Sequence, residues 1–248
     1  MPVPSSTPPM PTARLAANLE AVRARMRAAA ERAGRDPGGV RLVAVTKSVP
    51  AAVAAALARL GVSDLGESRA DVLEAKALAL EQAGLAPRWH FVGHLQRNKA
   101  RVPARIAALV HSVDSPRLLA ALDRLASEAG RVLDVLAQVK LADEPAKSGL
   151  EPRELADFLE RARALPGVRV VGLMTMAPLA DDDGRTRARA VFARAAALVR
   201  EHRGAFAGEP QLSMGMSGDF ELAIEEGATL VRVGSSLFDG LEPAGAAA

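Results

Sequence analysis

The chain has 248 residues, of which 49% are hydrophobic and 25% charged, enough for one large domain or two small ones. It contains no Cys, which excludes disulfides and thiolate metal sites, and no apolar run resembles a membrane span or a secretory signal. The pI is near 9.8, yet the net charge is only +3 and Arg alternates with Asp and Glu along the predicted helices. Solvated helix faces explain these residues better than a nucleic-acid-binding patch, and we expect a cytoplasmic protein.

Both ends of the chain are predicted to lie outside the folded domain. Residues 1–12 are rich in Pro and Ser without periodicity, which predicts a disordered arm, and residues 241–248 are expected to be frayed. An amphipathic helix is predicted over about residues 13–33, ending at Gly34 as a C-terminal Gly should. No linker rich in Pro, Gly or Ser interrupts residues 13–240, which favours one domain.

Short apolar segments alternate with helical patterns along this domain. The predicted strands cover residues 41–46, 63–67, 88–93, 109–114, 131–140, 168–175, 211–216 and 229–234. Each of the first seven is followed by a helical pattern. This alternation predicts an α/β fold, a single (β/α)8 TIM barrel with an extra N-terminal helix, with an open doubly wound sheet as the alternative.

Lys47 directly follows the first predicted strand, at the carboxyl end where barrel enzymes place their active sites. A lysine withdrawn from water at the mouth of an apolar barrel can become nucleophilic and form a Schiff base with an aldehyde. A lysine that merely solvates the strand end is the alternative, and position alone does not decide between them.

The segment LSMGMSGDFELAIEEG contains a second candidate site. Its strand ends in a Gly-containing turn with Met216, and Ser217 is predicted at the N-cap of the following helix. Free N–H groups and the helix dipole at such a position attract an anion. The motif is weak by itself, because most helices begin with a similar cap and bind nothing.

The segment VRVGSSLF contains the third candidate site. Arg232 lies between Val231 and Val233, so it points into the barrel if the valines face the helices. A buried arginine needs a partner, and a structural ion pair is the alternative to a ligand. Gly234 and Ser235 form a small polar turn behind it.

The three segments together are more specific than any one of them. Barrel enzymes frequently hold phosphate with the loops after strands seven and eight, and Lys47 neighbours the eighth strand only if the sheet closes. The combination predicts a ligand with an aldehyde, a polar ring atom and a phosphate. His90 and His94 would lie about 13 Å apart on a strand, so no metal site is predicted.

From about residue 14 to 239 the chain resembles the pyridoxal phosphate homeostasis protein family, relatives of the N-terminal barrel of alanine racemase. The resemblance is carried by AVTKSVP, LGES, WHFVGHLQRNK, VHSVDS, AKSGL, GLMTMAP, LSMGMSGDFELAIEEG and VRVGSSLF. It implies pyridoxal 5′-phosphate (PLP) bound through a Schiff base on Lys47, a phosphate held by Ser217, Gly234 and Ser235, and Arg232 facing the pyridine nitrogen. Ser68 and Met216 complete the expected set of cofactor-binding residues.

Two departures from the family pattern concern the residues after Gly66 and Glu67. Ser68 stands where the family usually has Asn, and Arg69 where a Tyr is common.

An arginine at position 232 has a chemical consequence, because an obligate cation disfavours protonation of the ring nitrogen and weakens the electron sink that most PLP enzymes exploit.

The resemblance implies a protein that carries or buffers PLP for amino-acid and keto-acid homeostasis without strong catalysis of its own. A PLP-dependent amino-acid racemase and a Schiff-base aldolase acting on a sugar phosphate are the alternatives. The racemase pattern uses a Tyr supplied by a second domain, and this chain has no Tyr. The aldolase hypothesis leaves Arg232 without a role.

The expected partners are PLP and PLP-dependent apo-enzymes, with no nucleic acid or membrane, and the chain is expected to be a monomer.

Overall fold

Eight parallel strands close into a barrel in the order of the sequence. The computed structural model describes residues 12–142, 148–178 and 184–241. The strands are β1 (Arg41–Val45), β2 (Asp64–Glu67), β3 (Arg88–Phe91), β4 (Leu109–Val113), β5 (Leu133–Gln138), β6 (Val168–Met174), β7 (Gln211–Ser213) and β8 (Leu230–Val233). The barrel closes where β1 pairs with β8 and Val43 lies opposite Arg232. The predicted (β/α)8 barrel is confirmed, and the open sheet is wrong because its end strands would not pair.

Helices surround the strands and follow the predicted alternation. They are α1 (Thr12–Arg32), α2 (Ala51–Arg59), α3 (Ala70–Gln82), α4 (Arg101–Ile106), α5 (Pro116–Glu128), α6 (Leu155–Arg163), α7 (Gly184–Glu201), α8 (Phe220–Glu225) and α9 (Ser235–Phe238). The extra N-terminal helix is confirmed as α1, and Gly34 beyond it has the positive φ of 64° that favours glycine at a helix end. Asn18 of α1 donates hydrogen bonds to the carbonyls of Leu237 and Asp239, which fixes α1 beside α9.

The alternation of strand side chains produces two apolar cores. The larger lies between the strands and helices and includes Val231 and Val233. The smaller fills the barrel with Val43, Leu109, Leu136, Val171, Met174 and Leu230. Because its neighbours Val231 and Val233 face the helices, Arg232 faces the barrel interior, as predicted.

Several predicted features fall partly outside the described residues. Residues 1–11 and 242–248 are not described, so the expected arm and frayed tail stay predictions, although Thr12 already belongs to α1. The AKSGL segment is described only from Ser148. Among the helices that are described, none is both long and apolar enough to cross a membrane.

Candidate functional site

Lys47 lies at the carboxyl mouth of the barrel, two residues beyond the end of β1. Its predecessor Thr46 is buried, whereas Lys47 itself is exposed. The expectation that the barrel mouth withdraws this amine from water is therefore not met in the structure, because Lys47 lies on a turn past the strand. The same position leaves the amine accessible to an incoming aldehyde.

A buried ion pair anchors the backbone immediately before Lys47. Lys76 of α3 donates from Nζ to the carbonyl oxygen of Thr46 at 2.7 Å and to Oε1 of Glu67 at 2.6 Å. The Thr46 hydroxyl donates to the same Glu67 oxygen at 2.5 Å. Sequence reasoning missed this pair, although Lys76 lies between Leu73 and Leu80 on the buried face of α3, where a lysine is unusual.

The turn after β7 differs in detail from the prediction. Helix α8 begins at Phe220, and Asp219 rather than Ser217 precedes it, so the N-cap assignment of Ser217 is wrong. The turn is longer than expected because Oδ1 of Asp219 folds back to accept a 2.6 Å hydrogen bond from the backbone N–H of Met216. Burial raises the pKa of Asp219, and the backbone N–H of Met216 and the charge of Arg232 oppose that rise.

Ser217 instead joins the turns after β7 and β8. Its hydroxyl oxygen accepts hydrogen bonds from the backbone N–H groups of Gly234 at 3.2 Å and Ser236 at 3.4 Å. Ser217 is half-buried, while Ser235 is exposed at the start of α9. Two backbone donors therefore converge on one hydroxyl, the kind of donor set that can hold an oxyanion.

Two glycines lie where these turns approach their neighbours, and the first of them is required. Gly215 has a φ of 87°, and a Cβ there would lie 2.6 Å from the Cβ of Ala223. A Cβ on Gly234 would lie 3.2 Å from the carbonyl oxygen of Val45, at the end of β1. The turn containing Gly234 and Ser235 therefore lies against the strand that leads to Lys47, as closure of the barrel predicted.

Arg232 lies inside the barrel with only 5% of its surface exposed. It donates to the hydroxyl of Ser213 at 2.7 Å and to the carbonyl of Thr175 at 3.1 Å. Both hydrogen-bond partners are uncharged. They therefore do not form the structural ion pair that was the alternative to a ligand at Arg232. Burial lowers the pKa of Arg232 to about 10 and the charge of Asp219 opposes this, so the guanidinium stays positive at neutral pH.

A chain of buried polar groups continues from Ser213 through the barrel. The Ser213 hydroxyl lies 2.8 Å from Nδ1 of His111, and Nε2 of His111 lies 2.8 Å from Nδ1 of His90. Nε2 of His90 lies 2.8 Å from Oδ1 of Asp64 at the start of β2. Burial lowers the pKa of both imidazoles, that of His111 well below its ordinary value.

Asp64, at the end of this hydrogen-bonded series, is ionised. Its burial disfavours the charge, but hydrogen bonds from His90 and Ser63 and the nearby Arg88 outweigh it and lower the pKa of Asp64 to about 2. From the sequence, His90 was weighed only as a metal ligand. A period-2 signal was present on β3, where Arg88 and His90 alternate with Trp89 and Phe91, but β2 and β4 carry no such alternation around Asp64 and His111.

His94 takes no part in this series of hydrogen bonds. It lies beyond the end of β3, and its Nδ1 is 3.5 Å from Oδ2 of Asp114, with 60% of its side chain exposed. His90 and His94 thus occupy different surroundings. Within the described parts of the chain, no three His, Cys, Asp or Glu side chains gather as a metal site would require.

The two residues that depart from the family pattern lie beside the mouth. Ser68 is half-buried directly after β2, and a Cβ on Gly93 would lie 2.2 Å from the Ser68 carbonyl oxygen, so the ends of β2 and β3 approach closely. Arg69 is exposed and pairs with Asp71 at 2.6 Å. The Arg69 side chain is therefore held at the start of α3 by a solvent-facing ion pair.

Comparisons with known proteins agree with this architecture. A family profile described as "Alanine racemase, N-terminal domain" matches residues 17–242. Proteins called "Pyridoxal phosphate homeostasis protein" from Aquifex aeolicus and Deinococcus radiodurans are 39% and 43% identical, each covering 89% of this chain and 95% and 99% of their own length. Structures of PipY from Synechococcus elongatus PCC7942, without PLP and with PLP bound, have TM-scores of 0.80 and 0.78 and identities of 37% and 36%, covering 90% of this chain and 99% of theirs.

The fold and site define a barrel of the alanine racemase N-terminal class, with a lysine after β1 and an arginine inside β8. Alanine racemase from Streptomyces lavendulae shares the fold at 21% identity and a TM-score of 0.68. The chain belongs to the pyridoxal phosphate homeostasis protein family.

Proposed function

We propose that this protein binds PLP at the carboxyl mouth of its barrel and carries or buffers it for intracellular PLP and amino-acid homeostasis, without strong catalysis of its own. The observation that carries the proposal is the convergence of the Gly234 and Ser236 N–H groups on Ser217, beside the end of β1 and above Arg232. The PLP-bound PipY structure and the name shared by the curated relatives support it.

The donor set fits the three functional groups of PLP. The Lys47 amine adds to the aldehyde carbon and water leaves, which gives the Schiff base. Ser217, Gly234 and Ser235 hold the phosphate with hydroxyl and backbone N–H donors, the donors that phosphate prefers. Met216 and Ser68 line the flanks of the cofactor.

Arg232 faces the pyridine nitrogen in this proposal. A guanidinium carries five N–H donors, so it can bond Ser213 and Thr175 and still donate to the ring. When bound, PLP supplies an aldehyde and an electron-withdrawing ring, and a positive Arg232 disfavours protonation of that ring. This arrangement favours holding the cofactor over turning over an amino acid.

We further propose that the protein is a cytoplasmic monomer and that its partners are PLP and PLP-dependent apo-enzymes, with no nucleic acid and no membrane. The modest net charge of +3 and the charge alternation along the helices support the exclusion of nucleic acid.

The experiment that tests the proposal is mass spectrometry of the protein after incubation with PLP and borohydride reduction. We expect one pyridoxyl group, located on Lys47 by peptide mapping. An unmodified protein would overturn PLP binding through a Schiff base, and modification of another lysine would overturn the role of Lys47.

A further inference from the structure

The barrel interior contains a continuous series of hydrogen bonds that the proposed PLP site does not explain. It runs from Arg232 through Ser213, His111 and His90 to Asp64, with each of the four links between 2.7 and 2.8 Å. All five residues are at most 5% exposed. The series joins the ring side of the proposed PLP site to the amino-terminal end of β2.

Both ends of the series dictate the same proton positions. An ionised Asp64 only accepts hydrogen bonds, so Nε2 of His90 must carry a proton. Because burial keeps both rings neutral, Nδ1 of His90 accepts from Nε2 of His111, and Nδ1 of His111 accepts from the Ser213 hydroxyl.

At the other end, Arg232 only donates, so the Ser213 oxygen accepts from it while giving its own hydrogen to His111. Every link then has one donor and one acceptor.

We propose that Asp64, His90, His111 and Ser213 are positioning residues for the cofactor ring, which hold the Arg232 guanidinium in the orientation that faces the pyridine nitrogen. The proposal rests on the proposed function, because it assigns the ring to Arg232. A carboxylate at one end of the barrel thereby acts on the cofactor at the other.

Physical considerations favour this role over simple filling of the barrel. The barrel interior also contains an apolar cluster that includes Val43, Leu136 and Leu230, and apolar side chains in place of the hydrogen-bonded series would be no less stable than a buried series with charged ends. A Ser hydroxyl that donates to His111 is also a stronger acceptor for Arg232, because hydrogen bonds in series polarise one another. The negative end at Asp64 is balanced by Arg41 and Arg88, whose nitrogens lie 3.8 and 3.6 Å from Oδ1.

The first test uses the protein without PLP and measures no activity. The sequence has only four His, so long-range ¹⁵N NMR of the PLP-free protein resolves each ring, with His94→Gln and His202→Gln as assignment variants. At pH 7 we expect His90 and His111 to be neutral with the proton on Nε2. A proton on Nδ1, or a charged ring, would overturn the proposal.

The second test breaks the series at Ser213. We expect Ser213→Ala to raise the PLP dissociation constant about three- to tenfold, the effect of one lost hydrogen bond, and to shift the visible band of the bound cofactor. Ser112→Ala is the matched control, because Ser112 is also a buried strand hydroxyl but has no hydrogen-bond partner among the described residues. Equal effects of the two variants would contradict the proposal.

The third test asks whether Asp64 acts through Ser213. Asp64→Asn should weaken PLP binding in the same direction, and this effect should vanish in a Ser213→Ala background, since the connection is already broken. Asp134→Asn is the control, because Asp134 also pairs with an arginine, Arg169 at 2.7 Å, near the start of a strand. Additive effects of Asp64→Asn and Ser213→Ala would overturn the proposal.

The outcomes separate the two proposals. If the wild-type protein shows no visible band and no reduced adduct, the proposed function fails and the positioning role fails with it. If PLP binds but Ser213→Ala leaves the band and affinity unchanged, only the positioning role fails. Should Asp64→Asn not fold, the comparison of Ser213→Ala with Ser112→Ala and the wild-type NMR spectrum still decide.

Discussion

The ammonium group of Lys76 lies 2.7 Å from the carbonyl oxygen of Thr46, the residue immediately before Lys47. The same ammonium pairs with Glu67 at 2.6 Å, and both side chains are almost completely buried. The backbone that presents Lys47 is thus held from the helical side by a second lysine, whose own amine is committed to this pair.

We expect Lys76→Met to lower the free energy of unfolding by about 3–5 kcal/mol, because it leaves the Glu67 carboxylate buried without its cation. Denaturant unfolding measures this change. The double variant Lys76→Met/Glu67→Met should recover most of the loss, since no charge then remains. The control is Arg124→Gln, which breaks the exposed pair with Glu128 and should cost about 0.5 kcal/mol or less. A Lys76→Met variant as stable as the control would contradict the buried pair.

Lys47→Ala should abolish the visible band of bound PLP while leaving the fold intact, because Lys47 is exposed and belongs to no core layer. Absorbance after PLP titration and circular dichroism measure the two outcomes. Lys140→Ala is the matched control, since Lys140 also follows a strand at the carboxyl end of the barrel. Loss of the band in the Lys140 variant, with retention in the Lys47 variant, would reverse the assignment.

Ser217→Ala and Ser235→Ala should each weaken PLP binding by about 1–3 kcal/mol, the effect of losing a hydrogen bond to a charged group. Ser217→Ala should have the larger effect, because Ser217 also accepts from the N–H groups of Gly234 and Ser236. Fluorescence titration with PLP measures both. Ser127→Ala on the outer helix α5 is the control, and unchanged affinity in both single variants and their double would place the phosphate elsewhere.

Stability should fall as the pH drops below about 6.5, the ordinary pKa of His. Burial lowers the folded-state pKa of His90 and His111, so the unfolded chain binds more protons and stability is lost on acidification. Each group contributes up to about 1.4 kcal/mol per pH unit.

We therefore expect the slope of unfolding free energy between pH 6 and pH 5, measured in urea, to decrease in His111→Gln. His94→Gln, which changes an exposed ring, is the control. An unchanged slope in His111→Gln would show that this ring does not stay neutral in the fold.

The protein saturated with PLP should show no substantial alanine racemase activity. The chain has no Tyr to act as an opposing base, and Arg232 disfavours protonation of the ring. The measurement is D-alanine formation from L-alanine together with α-proton exchange in D₂O, with Lys47→Ala as the blank. Turnover within the enzymatic range of about 1–10³ s⁻¹, dependent on Lys47, would favour the racemase. Slow exchange without inversion would indicate a site with a single base.

The sequence by itself determined the local elements and their order. Its periodicity placed every strand end within two residues of the observed one, except the end of β7, which lies three residues earlier than predicted. It also placed Lys47 beyond β1 and turned Arg232 inward between two valines. These features depend on short-range patterns, in which side chains alternate across a strand and recur every three or four residues along a helix.

The tertiary structure alone decided which polar groups meet. His111 and Ser213 are 102 residues apart, and Ser217 reaches Gly234 only because the two turns after β7 and β8 fold together. The exposure of Lys47 likewise depends on a turn whose path the strand pattern does not specify. Contacts of this kind are set by barrel closure and strand register, which bring distant residues within hydrogen-bonding distance and which no local pattern encodes.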